Sequence, residues 1–321
     1  MTAARPTLDE FRAAAERLRG VSVRTPLVPL HEDEPQRRVW LKVETHQPIG
    51  SFKIRGVYNA VARLAPEARG RGLSTVSAGN TAQALAWCGL RFGVRARSLM
   101  PDTAPQTKIA AVLRHGGEPV LVPATELFRF LAERGWDREP YAFVHPWTDR
   151  DLRIGHGTIA LEILDDLPGV EAVYVPVGGG GLIGGVGAAL KLLAPSVRVV
   201  AVEPTGCAAL HASLEAGRPA RVECKTMCDG VAVPYITEEM FPVLREVVDE
   251  VRLVPDLAVR ATIRRLALRD RLVVEAAGAL AVAAALADPA APPGRTVCLV
   301  TGGSIDTATL VDILTDESLA I

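Results

Sequence analysis

Lys53 lies in Gly50-Ser-Phe-Lys-Ile-Arg-Gly56, between Phe52 and Ile54 and with a glycine on either side. Apolar surroundings disfavour the ammonium form and lower the lysine pKa, which an amine nucleophile or base requires. A lysine snorkelling from a partly buried helix start has the same local pattern, so both readings stand at this level. A second stretch, Gly178-Gly-Gly-Gly-Leu-Ile-Gly-Gly185, directly follows an apolar run. Without Cβ atoms its backbone N–H groups can converge on an anion, and a following helix start adds partial positive charge. Ser77-Ala-Gly-Asn-Thr81 places hydroxyl and amide groups in another such loop, although Ser, Asn and Thr equally suit a plain helix N-cap. Thr301-Gly-Gly-Ser304 closes the last apolar run. Gly179-x-Gly181-x-x-Gly184 also fits the dinucleotide fingerprint, with Glu203 roughly 20 residues on. Taken alone, that pattern is a nicotinamide dehydrogenase.

These loops need elements to hold them. Short apolar runs at 39–43, 75–77, 98–100, 119–122, 172–177, 197–202 and 296–300 alternate with helix-like segments at 7–19, 81–92, 108–115, 125–134, 157–165, 184–193 and 257–269. This is the pattern of an α/β protein with mostly parallel sheet. Several runs are almost uniformly apolar, as expected of strands covered on both faces. Three of the glycine-bearing loops close such runs at their carboxyl ends, where ligands bind in open α/β sheets. Segment 137–151 mixes Pro, Trp and charges without a period and is the expected crossing between domains.

The chain has 321 residues, long for one core, so two domains are expected. Apolar residues make up 49% and charged residues 23%, which excludes a disordered chain. A formal charge of −1 leaves no electrostatic footprint for nucleic acid or an anionic membrane. Residues 172–190 carry no charge, but Pro176 and seven glycines among them argue against a membrane helix. Only five of the 36 basic residues are lysines, which makes Lys53 stand out further. Five cysteines, an odd number, and a charged start without an apolar leader imply an intracellular protein with reduced thiols. Cys224 and Cys228 have no His or Cys pair at zinc-site spacing, so no metal is expected.

Together, S-F-K-x-R-G, S-A-G-N, G-G-G-G-L and a late hydroxyl-Gly-Gly segment, in this order, resemble the fold-type II pyridoxal-phosphate enzymes. The similarity is to their serine/threonine dehydratase and serine racemase branch, and it runs from Arg24-Thr-Pro-Leu27 to Asp306. Met100-Pro-Asp-Thr-Ala-Pro105, Gly155-His-Gly-Thr158, Val202-Glu-Pro204 and Glu275-Ala-Ala-Gly278 also match. The resemblance implies a tryptophan synthase β-like α/β fold of two domains, each a mostly parallel twisted sheet flanked by helices. Residues 1–71 and 149–321 would form the large cofactor-binding domain, and 72–148 a small mobile domain carrying the substrate-carboxylate loop. It further implies pyridoxal 5'-phosphate as cofactor, a homodimer and a cytoplasmic location.

Carried over residue by residue, Lys53 matches the lysine that holds the cofactor as a Schiff base and exchanges Cα protons. Phe52 and Asn80 match residues at the ring, and Gly178, Gly179, Gly180, Gly181 and Leu182 match the phosphate cup. Ser77, Ala78, Gly79, Asn80 and Thr81 match the carboxylate loop. Thr301 replaces the serine that faces the pyridine nitrogen. A hydroxyl cannot hold that nitrogen protonated, so the ring is a weaker electron sink, which favours prompt β-elimination. Ala78 stands where racemases carry a second serine as acid–base, and alanine carries no proton. Thr81, His156 and Ala277 stand where dehydratases have His, Gln and often Pro. The family's divalent-ion site uses a glutamate and, six residues on, an aspartate; here these are Glu203 and Ala209. Fifteen residues follow Asp306, too few for the regulatory region of biosynthetic threonine deaminases. The expected activity is an ammonia-lyase converting L-threonine or L-serine to a 2-oxo acid and ammonia. Serine racemase, hydroxyaspartate dehydratase and β-replacement are the rivals within the family; the dehydrogenase and a non-catalytic amino-acid-binding relative are the rivals outside it.

Overall fold

The computed structural model describes residues 5–31, 39–77, 79–293 and 295–319. Its strands are β1 (Leu27–Pro29), β2 (Val39–Val43), β3 (Leu73–Val76), β4 (Ala96–Pro101), β5 (Glu118–Val122), β6 (Ala142–Phe143), β7 (Ala172–Pro176), β8 (Arg198–Pro204), β9 (Glu250–Val254) and β10 (Thr296–Val300). They form a six-stranded sheet in the order β1-β2-β10-β7-β8-β9 and a four-stranded sheet in the order β5-β4-β3-β6. All pairings are parallel except β1 with β2. Each of the seven strands expected from the sequence is present, and the fold class is as expected.

The helices are α1 (Leu8–Leu18), α2 (Lys53–Arg63), α3 (Pro66–Gly70), α4 (Asn80–Phe92), α5 (Gln106–Arg114), α6 (Ala124–Ala132), α7 (Arg150–Asp166), α8 (Gly181–Leu193), α9 (Ala209–Ala216), α10 (Met240–Val247), α11 (Asp256–Leu268), α12 (Ala276–Ala287) and α13 (Thr307–Thr315). No helix among the described residues is long and apolar enough to cross a membrane.

The central strands are buried on both faces. In β7, Val173 and Val175 join the core that contains Phe11, Ile159 and Ile183, while Ala172 and Tyr174 face the core built on Leu41 and Leu280. Strand β10 divides likewise, Val297 and Leu299 to one side and Cys298 and Val300 to the other. A period-2 backbone with both faces covered gives the uniformly apolar runs read from the sequence.

Helix α7 starts seven residues earlier than the expected 157–165, at its N-cap Asp149, whose side chain accepts from Leu152 N at 2.9 Å. Gly155 and Gly157 argue against a helix by propensity, but both sit inside α7 because two neighbours approach there. A Cβ on Gly155 would lie 2.8 Å from Asn59 Cβ on α2, and one on Gly157 would lie 2.8 Å from Gly185 O on α8. Close packing overrides propensity here. Segment 137–151, expected as a crossing, contains β6 at the edge of the smaller sheet and then leads into α7.

The expectation of five free thiols is corrected. Cys88, Cys228 and Cys298 are free and buried, but Cys207 and Cys224 are joined in a disulfide. Chain proximity drew attention to Cys224 and Cys228, whereas the turn after β8 brings residue 207 against 224. Ala78 lies outside the described residues.

Candidate active site

One cavity of about 500 Å³ opens between the carboxyl ends of strands from both sheets. Phe52, Lys53, Ser77, Gly79, Asn80, Thr81, Gly178, Gly179, Gly180, Gly181, Leu182 and Thr301 all line it. Every candidate site residue within the described part of the chain is therefore brought together, from segments spread over about 250 positions of the sequence.

Three loops are stitched to one another by main-chain bonds. Phe52 N donates to Thr301 O, Gly303 N to Gly50 O and Glu275 N to Gly302 O, each at 3.0 Å. Lys53 is thereby fixed at the first turn of α2. Its amine lies 4.8 Å from the Phe52 ring centroid, and the half-buried side chain lines the cavity. Burial pushes the Lys53 pKa down to about 8, partly opposed by the Glu275 charge. Lys108 also lines the cavity, where its side chain is ion-paired with Asp229.

Beneath α2 lies a buried network the sequence did not announce. Arg55 donates to Glu44 from Nε and Nη2 (both 2.8 Å) and to Glu162 from Nη1 (2.6 Å). Lys42 pairs with Glu162 at 2.7 Å, and Thr25 Oγ1 donates to Glu44 at 2.7 Å. Burial works to raise the Glu44 carboxyl, but the Arg55 guanidinium outweighs it and holds the pKa below the usual carboxylate range. The arginine of S-F-K-x-R-G is thus a support for the turn that carries Lys53. His156 packs edge-on against Phe52 at 4.7 Å, fully buried, with neither ring nitrogen hydrogen-bonded. Burial, with the Lys53 and Arg55 charges, drives its pKa well down and keeps it neutral.

The glycine loop joins β7 to α8. Gly180 has φ +89°, a conformation side chains disfavour, and a Cβ there would lie 2.7 Å from Leu244 Cδ1. A Cβ on Gly179 would enter the Trp147 indole. The loop delivers the first N–H groups of α8, which have no partner inside their own helix, to the cavity. Asn80 starts α4 and donates from Nδ2 to Glu275 Oε1 at 2.6 Å; its Oδ1, like Glu275 Oε2, is buried without a partner. Burial raises the Glu275 pKa. Ser77 Oγ accepts from Gly79 N at 3.1 Å and holds the loop before α4. Glu275, Lys108, Asp229 and Trp147 are wall residues that sequence reasoning assigned no role; only Glu275 had a signal, in its matching Glu-Ala-Ala-Gly segment.

Glu203 decides against the dinucleotide reading. Its carboxylate accepts from Leu210 N and His211 N, each at 2.8 Å, and so caps α9. Burial raises its pKa to about 7 despite those donors. A carboxylate committed to a helix start is not free for a ribose hydroxyl. No group of His, Cys, Asp and Glu suited to a metal ion occurs among the described residues.

The profile of the pyridoxal-phosphate dependent enzymes matches residues 19–302. The chain belongs to that family. Within it, the chain is 37% identical over 319 residues to an L-threonine ammonia-lyase of Thermotoga maritima, covering 98% of this chain and 79% of that protein. It is 33% identical over 307 residues to a catabolic L-threonine dehydratase of Escherichia coli, covering 93% of each. Among solved structures it is similar to the T.th. threonine deaminase, with TM-score 0.86, 37% identity and 94% and 99% of the two chains covered. It is also similar to maize serine racemase, with TM-score 0.89, 30% identity and 96% and 97% covered. The cofactor of this family enzyme is pyridoxal phosphate. The cavity fits such a group: it offers an amine of lowered pKa, a Cβ-free phosphate cradle at a helix start, and an unpartnered buried amide oxygen.

Proposed function

We propose that the chain is an ammonia-lyase that converts L-threonine or L-serine to 2-oxobutanoate or pyruvate plus ammonia by β-elimination. The observation that carries this reading is Lys53, an amine of lowered pKa lining the cavity with the glycine loop and the Ser77–Thr81 loop. Gly178 to Leu182 would hold the cofactor phosphate, Phe52 and Asn80 its ring, and Thr301 its ring nitrogen. When bound, pyridoxal phosphate supplies the electron sink that allows a Cα–H bond to break. Lys53 would hold the cofactor through its amine and, freed by substrate, would serve as the base for the Cα proton. Ser77, Gly79, Asn80 and Thr81 orient the substrate carboxylate through hydroxyl, amide and N–H groups. Trp147, Leu182 and Val231 supply an apolar part of the wall. Loss of the β-hydroxyl leaves an enamine that tautomerises and hydrolyses to the 2-oxo acid and ammonia.

Residues 72–148 act in this reading as a smaller unit carrying the carboxylate loop, since they contain the four-stranded sheet. A cytoplasmic homodimer completes the proposal, in keeping with the absence of a membrane-length apolar helix among the described residues. One observation favours serine racemase as the second reading: Lys108 brings another amine to the cavity wall, its stem packed against Gly79. A coupled 2-oxo-acid assay beside chiral chromatography separates the two. The lyase gives 2-oxo acid from L-threonine or L-serine with little D-isomer, and racemisation as fast as elimination overturns it.

A further inference from the structure

The disulfide of Cys207 and Cys224 closes a loop across a sequence separation of 17, with Cα atoms 4.4 Å apart. It joins the turn after β8 to the chain segment 221–235. The same two stretches are tied by Lys225 N donating to Gly206 O at 2.8 Å, and Cys207 Sγ lies 3.6 Å from Val233 O. Cys224, Asp229, Val231 and Val233 line the cavity that holds Lys53. The bridge therefore anchors a wall of the active site to the end of a central strand. Its two sulfurs differ in access: Cys207 is 2% exposed, whereas Cys224 is half-buried and borders the cavity.

We propose that Cys207 and Cys224 are a thiol–disulfide switch of the active-site wall, operated by an external dithiol through the cavity at Cys224. The thiolate of the dithiol attacks Cys224 Sγ, and the Cys207–Cys224 bond breaks with Cys207 leaving as a thiolate. The second thiol of the reagent then displaces Cys224, closing the reagent's own disulfide. Two electrons and two protons pass from the dithiol to the protein, and an external disulfide reverses the exchange. With the bridge closed, the wall is held covalently; opened, segment 208–224 is held by non-covalent contacts alone, among them the Glu203 carboxylate on Leu210 N and His211 N. The three other cysteines are free and buried among the core residues. Burial pushes Cys228 up to about 12 and Cys88 higher still, which leaves them without thiolate.

The test uses holoenzyme purified without reductant. Denaturing alkylation with iodoacetamide is expected to label three cysteines, and five after dithiothreitol. After brief native reduction, iodoacetamide is expected to label Cys224 before Cys207. Trypsin is expected to cut at Arg221 or Lys225 about fivefold faster once the bridge is open, since local opening sets the rate. On the lyase reading, reduction raises KM for L-threonine about threefold with kcat little changed, because the wall orders the bound substrate less. Removal of dithiothreitol and addition of oxidised glutathione restores the starting values. Cys207→Ser and Cys224→Ser each behave as the reduced enzyme whether or not dithiothreitol is present. Five labelled cysteines before reduction and again after equilibration with oxidised glutathione overturn the proposal. So does a bridge whose opening leaves the tryptic rate unchanged. If neither amino acid is turned over, the lyase reading fails, while the alkylation and tryptic measurements still decide the switch.

Discussion

Replacing Lys53 by methionine removes a cation from a place that opposes it. Burial lowers the Lys53 pKa from 10.5 to about 8, and each unit corresponds to about 1.4 kcal/mol. Below pH 8 both folded and unfolded chains carry the protonated lysine, and the folded apoprotein bears the full cost, about 3 kcal/mol. As pH rises from 8 towards 10.5 the unfolded chain still binds the proton while the folded one has released it. The cost then shrinks, to about 1 kcal/mol at pH 10. Wild-type apoprotein is therefore expected to gain stability across this window relative to Lys53→Met. The stability advantage of the variant should fall by about 2 kcal/mol between pH 7 and pH 10. Urea unfolding of both cofactor-free proteins at a series of pH values measures this, and the constant difference from side-chain packing cancels. A companion measurement is the rate of pyridoxal phosphate uptake by the apoprotein, which should rise with pH and level off near pH 8. A stability difference that is flat from pH 7 to pH 10 refutes the claim that the amine is enclosed and perturbed.

Five other variants have expected outcomes. Lys53→Ala should lack both lyase activity and the visible absorbance band of bound pyridoxal phosphate, since the other lysine of the cavity wall, Lys108, is tied to Asp229; a retained band would reassign the amine. Thr301→Ala should weaken cofactor binding by about 1–3 kcal/mol, measured by fluorescence titration, through an unpaired ring nitrogen. Thr301→Asp should slow elimination relative to side reactions. Arg55→Met should destabilise the protein by about 3–5 kcal/mol in urea unfolding, because Glu44 is left buried without its partner. Gly179→Ala should lose cofactor binding in the same titration, since the added Cβ collides with the Trp147 indole.

The strands were legible because burial on both faces of a parallel sheet demands runs such as Ala172–Pro176 and Thr296–Val300, and such runs need no partner to be recognised. Glycine clusters after them were legible for a related reason: a missing Cβ is visible in the sequence whatever surrounds it. The alternation of apolar runs and helical segments therefore determined the fold class, and the motifs from Lys53 to Thr301 determined which loops carry the site. Helix α12 escaped because Ala276–Ala287 is apolar all round and has no period to detect. Strand β9 escaped because Glu250 and Arg252 interrupt an edge strand.

Other features belong to the tertiary structure alone. The motif arginine Arg55 reads in sequence like any charge beside a nucleophile, and only the approach of Glu44 and Glu162 makes it a buried support. Glu203 has the spacing of a ribose ligand, yet the turn after β8 directs the α9 N–H groups onto its carboxylate. The pairing of Cys207 with Cys224, and of Lys108 with Asp229 over 121 positions, depends on where separate strands end. Composition and local spacing reach only as far as one element and its caps. The charge state of Lys53 is set by what encloses it, and that enclosure comes from residues distributed along the whole chain.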